Sequence, residues 1–176
     1  MNRYAEIDAL LRSTHQAFLT SLHAVLEADR GSAAAVLAGA RLRQAQVADA
    51  EAALRRRAWV PAPQLARELA FVAGIARLGA ATDRLAAHTA GADAAPAPSP
   101  ALSRELTALA DAGDRRFRQL IAGASGGGPN RFDQGCARAL FEIADHSSLA
   151  AAPVVELCAG VAIALLDVGR QAQAAA

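Results

Sequence analysis

The chain has 176 residues, 53% of them hydrophobic and 20% charged, so wholesale disorder is excluded and one domain or two small ones are expected. It contains 49 alanines and no lysine; all 18 basic residues are arginine. Alanine is the best helix former, and aromatics make up only 4%, so the composition favours helix over sheet. A net charge of +1 gives no bulk attraction to nucleic acid. Two cysteines, Cys136 and Cys158, do not make a disulfide framework and read as small buried residues. The longest apolar run, Leu157 to Leu166, is too short to span a bilayer, and no basic segment followed by an apolar core opens the chain. A soluble, reduced, cytoplasmic protein is expected.

Apolar residues at three- and four-residue steps predict a first helix through Ile7, Leu10, Leu11, Phe18, Leu22 and Val25. Asp29-Arg30-Gly31-Ser32 breaks it, with Gly31 suited to a helix end and Ser32 to capping the next helix. A second helix is predicted over 33–58, closed by Arg55-Arg56-Arg57 at the negative end of its dipole. Pro61 and Pro63 force a break, and a third helix follows over 63–88. The Ala/Pro-rich stretch 91–100 reads as a linker. Three more helices are predicted: from Ser99 or Ala101 to Ala122, over 131–149, and over 153–173. The turn Gly126 to Pro129 separates the first two of these.

The segments Leu65-Ala66-Arg67-Glu68-Leu69 and Asp83-Arg84-Leu85 on the third helix, with Leu26 to Leu37 before them, resemble the PhoU family of phosphate-signalling proteins. That resemblance implies an all-α fold of two PhoU-like three-helix bundles, 1–90 and 101–176, packed into a six-helix elongated bundle. It implies a non-enzymatic regulator of phosphate uptake that acts by protein–protein contact. Expected partners are a phosphate-sensing histidine kinase, a phosphate ABC-transporter subunit or a second copy of the chain. A helical scaffold unrelated to phosphate is the alternative.

Some members of the family bind iron or zinc clusters through acidic residues on the second and third helices of each bundle. Asp83 stands at one such position, but Ala87 replaces the following acid. The second helix offers Gly39, Ala40, Arg41 and Arg43, and the sixth sets Arg170 beside Asp167. No metal and no other cofactor is therefore expected at these positions. Glu142 and His146 share a helix face and form a minor candidate metal pair; solvation of a helix end is the simpler reading.

His15, His23 and His88 lack the surroundings of a phosphoacceptor and read as bundle histidines. The Gly126 to Pro129 turn lacks the Gly-Lys-Ser/Thr of a phosphate loop. The runs Arg55–Arg57 and Arg115, Arg116 and Arg118 read as solvated faces. Asp83 and Arg84 project about 100° apart on a helix, which turns Arg84 outward or toward Glu68 or Asp49. Arg41, Arg43 and Arg84 are expected to form an exposed electropositive strip that meets an acidic partner. As exposed charges they are expected to contribute little to stability.

Overall fold

The computed structural model describes residues 5–57, 60–91, 98–124 and 152–175. These form α1 (Ala5–Glu27), α2 (Arg30–Ala38), α3 (Ala40–Arg55), α4 (Ala62–Gly91), α5 (Pro100–Ala124) and α6 (Ala152–Ala175). The fold is all-α, and no strand occurs among the described residues. None of these helices is long and apolar enough to cross a membrane. The helix expected over 131–149, with Cys136, Glu142 and His146, lies outside the described residues.

The α1–α2 junction differs in detail from the expected one. Ala28, not Gly31, takes the left-handed conformation, at φ 51°. Asp29 N–H reaches back to Ala24 O at 2.8 Å, which closes α1 in a Schellman-type turn. Asp29, not Ser32, then caps α2. Its carboxylate accepts from Gly31 N–H (2.8 Å) and Ser32 N–H (3.1 Å), while Ser32 Oγ donates to it at 2.6 Å. These bonds hold the Asp29 carboxyl below its ordinary pKa, with the Ser32 hydroxyl the largest cause.

The helix expected over 33–58 is two segments joined at Gly39. Gly39 stays close to helical geometry (φ −79°, ψ −7°), so the joint is an offset rather than a reversal. A Cβ there would lie 2.8 Å from Arg43 Nη1, so the glycine makes room for the arginine to fold back. The expected third helix is α4, extended to Gly91. Thr82 and Thr89 satisfy their buried hydroxyls by donating to Leu78 O (2.9 Å) and Leu85 O (3.1 Å), which lets polar residues sit inside the bundle.

Helix α4 is the centre of the arrangement. It packs on α1, α2, α3 and, most extensively, α6, while α5 lies against α1 and α6. One continuous core crosses the 91–100 segment, from Leu10, Phe18 and Leu54 through Ile75 to Phe117 and Leu165. Phe18 and Phe117 meet inside it, with ring centroids 5.6 Å apart. A smaller alanine-rich cluster, including Ala24, Ala33 and Ala86, seats α2.

Two glycines set how closely the helices approach. A Cβ on Gly113 of α5 would overlap the Phe18 ring, and one on Gly74 of α4 would overlap the Gln171 amide of α6. Oriented to satisfy both neighbours, that amide donates to Ala70 O at 2.7 Å and accepts from Arg77 Nη2 at 2.8 Å. Gly79 differs, because a Cβ there meets no atom within 4 Å. The two classes of glycine should therefore respond oppositely to alanine. Gly79→Ala is expected to stabilise by up to about 1 kcal/mol through helix propensity. Gly113→Ala is expected to cost about 1–3 kcal/mol by overpacking. Urea unfolding of the two variants checks the pair, and equal shifts of one sign would contradict this packing.

Candidate functional site

The functional reading of the sequence centred on α3 and α4, and these helices carry its key side chains. Asp83 lies on the α4 face that also presents Ala76, Gly79 and Ala80, at helical spacing. The small side chains leave a cleft of about 170 Å³ between α4, α1 and α3. Leu10, Val47 and Ile75 give it apolar walls, and Thr14, Arg43 and Asp83 add polar groups to its lining.

Arg43 departs from the expected surface strip. Its side chain is only 10% exposed. Nη2 donates to Val36 O at 2.7 Å and to the Asp83 carboxylate. The guanidinium is thus folded back under the Gly39 joint and neutralised by α4. This corrects the expectation that Arg43 is an exposed charge of the strip. The physical reason is the acid forty residues away, which makes burial of the arginine tolerable. Arg43 Nε remains buried with no hydrogen-bond partner.

Arg41 and Arg84 are exposed, as expected. Glu68 does not engage Arg84. It is buried and accepts from Arg57 Nη1 at 2.6 Å and Gln64 Nε2 at 3.1 Å. Asp49 is exposed on α3. The Arg55–Arg57 run therefore divides: Arg55 and Arg56 are exposed, whereas Arg57 clamps the end of α3 to the start of α4. Ser13 Oγ adds a link from α1 to α3 by donating to Gln46 Oε1 at 2.5 Å.

His15 bridges α1 and α5. Its Nε2 donates to Asp114 Oδ1 at 2.9 Å, and its ring stacks on Phe117 at 4.8 Å. Burial would raise the Asp114 pKa, but bonds from Arg118 and His15 outweigh it and hold the carboxyl below its ordinary value. His23 is exposed and His88 half-buried. Among the described residues no group of three or more His, Cys, Asp or Glu side chains converges on a point where a metal ion would sit. Glu142 and His146 lie outside those residues.

The cleft itself went unnoticed in the sequence. Its signal is the spacing Ala76-x-x-Gly79-Ala80-x-x-Asp83, small residues at helical steps leading to an acid. Against this geometry, the chain matches no protein-family model, no curated protein and no solved structure.

The Arg43–Asp83 pair makes stability the first measurable consequence. Asp83→Ala leaves a buried guanidinium without its counter-charge. Removing one partner of a fully buried pair costs about 3–5 kcal/mol; because Asp83 is 22% exposed, a loss of about 2 kcal/mol is expected after allowing for solvent screening. Arg84→Ala should stay within about 0.5 kcal/mol of the parent. Denaturant midpoints compare the two, and equal losses would show that the pair is not a clamp.

Proposed function

We propose that the chain is a non-enzymatic, PhoU-like regulator of phosphate-responsive signalling, working in the cytoplasm through protein–protein contact. In this reading residues 1–90, with α2 and α3 counted as one helix jointed at Gly39, and residues 101–176 are two three-helix units joined by 91–100 and packed as one elongated body. The observation that carries it is the Arg43–Asp83 pair. Asp83 is the residue that resembles a metal-site acid of the family. Here an arginine from the neighbouring helix supplies the positive charge that a cation would otherwise bring, and a guanidinium cannot be lost to chelators or deprotonated at cellular pH. The helices are thus locked together without a metal, and the protein's role is to present a fixed surface.

Arg41 and Arg84 remain as exposed positive charges on the two helices joined by that pair. An acidic face of a phosphate-sensing kinase, of a transporter subunit or of a second copy of the chain is their proposed counterpart. Such contacts steer association and weaken with salt.

The test is deletion of the coding sequence, followed by transcript profiling in low and high phosphate. The expected result is that phosphate-uptake transcripts no longer fall in high phosphate. Restoration by the parent but not by an Arg41→Ala/Arg84→Ala double variant would place the contact on those arginines. An unchanged phosphate response in the deletion strain would sink the proposal.

A further inference from the structure

Helix α3 buries Arg43, Ala50 and Leu54 and leaves the opposite face in solvent. That face carries Arg41, Leu42, Ala45, Ala48 and Asp49, all exposed. At about 100° per residue the five fall within about 60° of Ala45. Leu42 is a large apolar side chain left 62% exposed, and covering it would be favourable. The two charges are unanswered within the chain. Other exposed arginines lean on an acid three or four residues away: Arg12 on Asp8, Arg55 on Glu51, Arg170 on Asp167. The residues at those steps from Arg41 and from Asp49 are all alanine, leucine or glutamine. Neither charge pairs with another described residue.

The order of these residues is self-complementary. Arg41, Ala45 and Asp49 form one ridge at four-residue spacing, with a cation at one end, an acid at the other and a methyl midway. Such ridges incline by about 26° to the helix axis, so two helices crossing at about 50° lay one ridge along the other. When a two-fold axis passes beside Ala45, the helices run antiparallel and Arg41 of each copy meets Asp49 of the other. The alanines let the backbones come close, and Leu42, one turn before Ala45, meets its own counterpart beside the crossing. A parallel pair would set Arg41 on Arg41. A uniformly acidic partner would answer Arg41 and repel Asp49, whereas a second copy answers both. We propose that this α3 face is a homodimer interface, closed by two Arg41–Asp49 contacts around a Leu42 and alanine centre. One helix face makes a small interface, so the dimer is reversible, with a dissociation constant on the order of 0.1 mM. The proposal narrows the second-copy option given above to one surface, but it rests on α3 alone and not on the phosphate role.

Sedimentation equilibrium of the full chain, over concentrations on either side of that constant, tests it with charge-swapped variants. The parent is expected to dimerise, and more weakly as salt rises. Arg41→Asp and Asp49→Arg each place like charges at both contacts and are expected to weaken the dimer by about tenfold. The double variant Arg41→Asp/Asp49→Arg restores opposite charges and is expected to recover dimerisation. An equimolar mixture of the two single variants is expected to form the mixed dimer. Both sites are exposed, and circular dichroism of every variant should match the parent. A parent that stays monomeric throughout overturns the interface and leaves the face to an unlike partner. A dimer that both single variants leave unchanged also overturns it. So does a folded double variant that dimerises no better than the single ones.

Discussion

Helix α4 packs on four other helices while one face stays in solvent, and that central position constrains everything else. It meets α1, α2 and α3 from one part of the chain and α6 from the other. A helix in that position needs small side chains where neighbours come close, because interhelical distances depend on what stands between the backbones. Gly74 admits Gln171, Ala81 is buried in the main core, and Ala86 is buried against the alanines that seat α2. The alanine excess of the composition thus has a mechanical meaning: it supplies close helix contacts as well as helix propensity. Among the described residues, α5 packs on α1 and α6 rather than on α4. It is held at second remove through α1 and α6, and Gly113 seats it against Phe18.

Buried charge sets the register of α3 against α4. Arg57 reaches Glu68 near the α3–α4 connection, and Arg43 reaches Asp83 toward the opposite end. Two pairs at two heights leave little freedom for one helix to slide along the other, since a shift would strand charges away from water. The exposed pairs do a different job. Arg12 with Asp8 and Arg55 with Glu51 are single-helix contacts at four-residue spacing, which add little to stability. Among the described residues the arginines therefore include interior clamps and surface charges, and of the expected strip Arg41 and Arg84 belong to the second group.

The helices were legible because burial repeats every three or four residues. Ile7, Leu10, Leu11, Phe18 and Leu22 mark α1 in the sequence as they do in the fold. The places where reading failed are those where a local signal was overruled from a distance. Gly31 and Ser32 look like a break and a cap, but Asp29 caps first and Ala28 accepts the left-handed turn. Gly39 looks like one weak position in a long helix; its importance depends on where the Arg43 guanidinium goes. Arg43 reads as surface by residue type, because an arginine is buried only when a partner neutralises it, and that partner lies on another helix. The same limit hid the cleft. Small residues on α4 become a cavity only when α1 and α3 stand across from them.

Native-state hydrogen exchange tests the central place of α4 most directly. If α4 is the shared strut, its amides between Val72 and Ala86 open only with the whole molecule. The buried amides of α1 and α6 should then exchange with the same free energy and the same denaturant dependence. The contradicting result is separate opening: α5 and α6 exchanging at lower free energy while α1 to α4 stay protected. That outcome would mean that the first four helices hold together without the rest and that α4 does not unite the two parts of the chain.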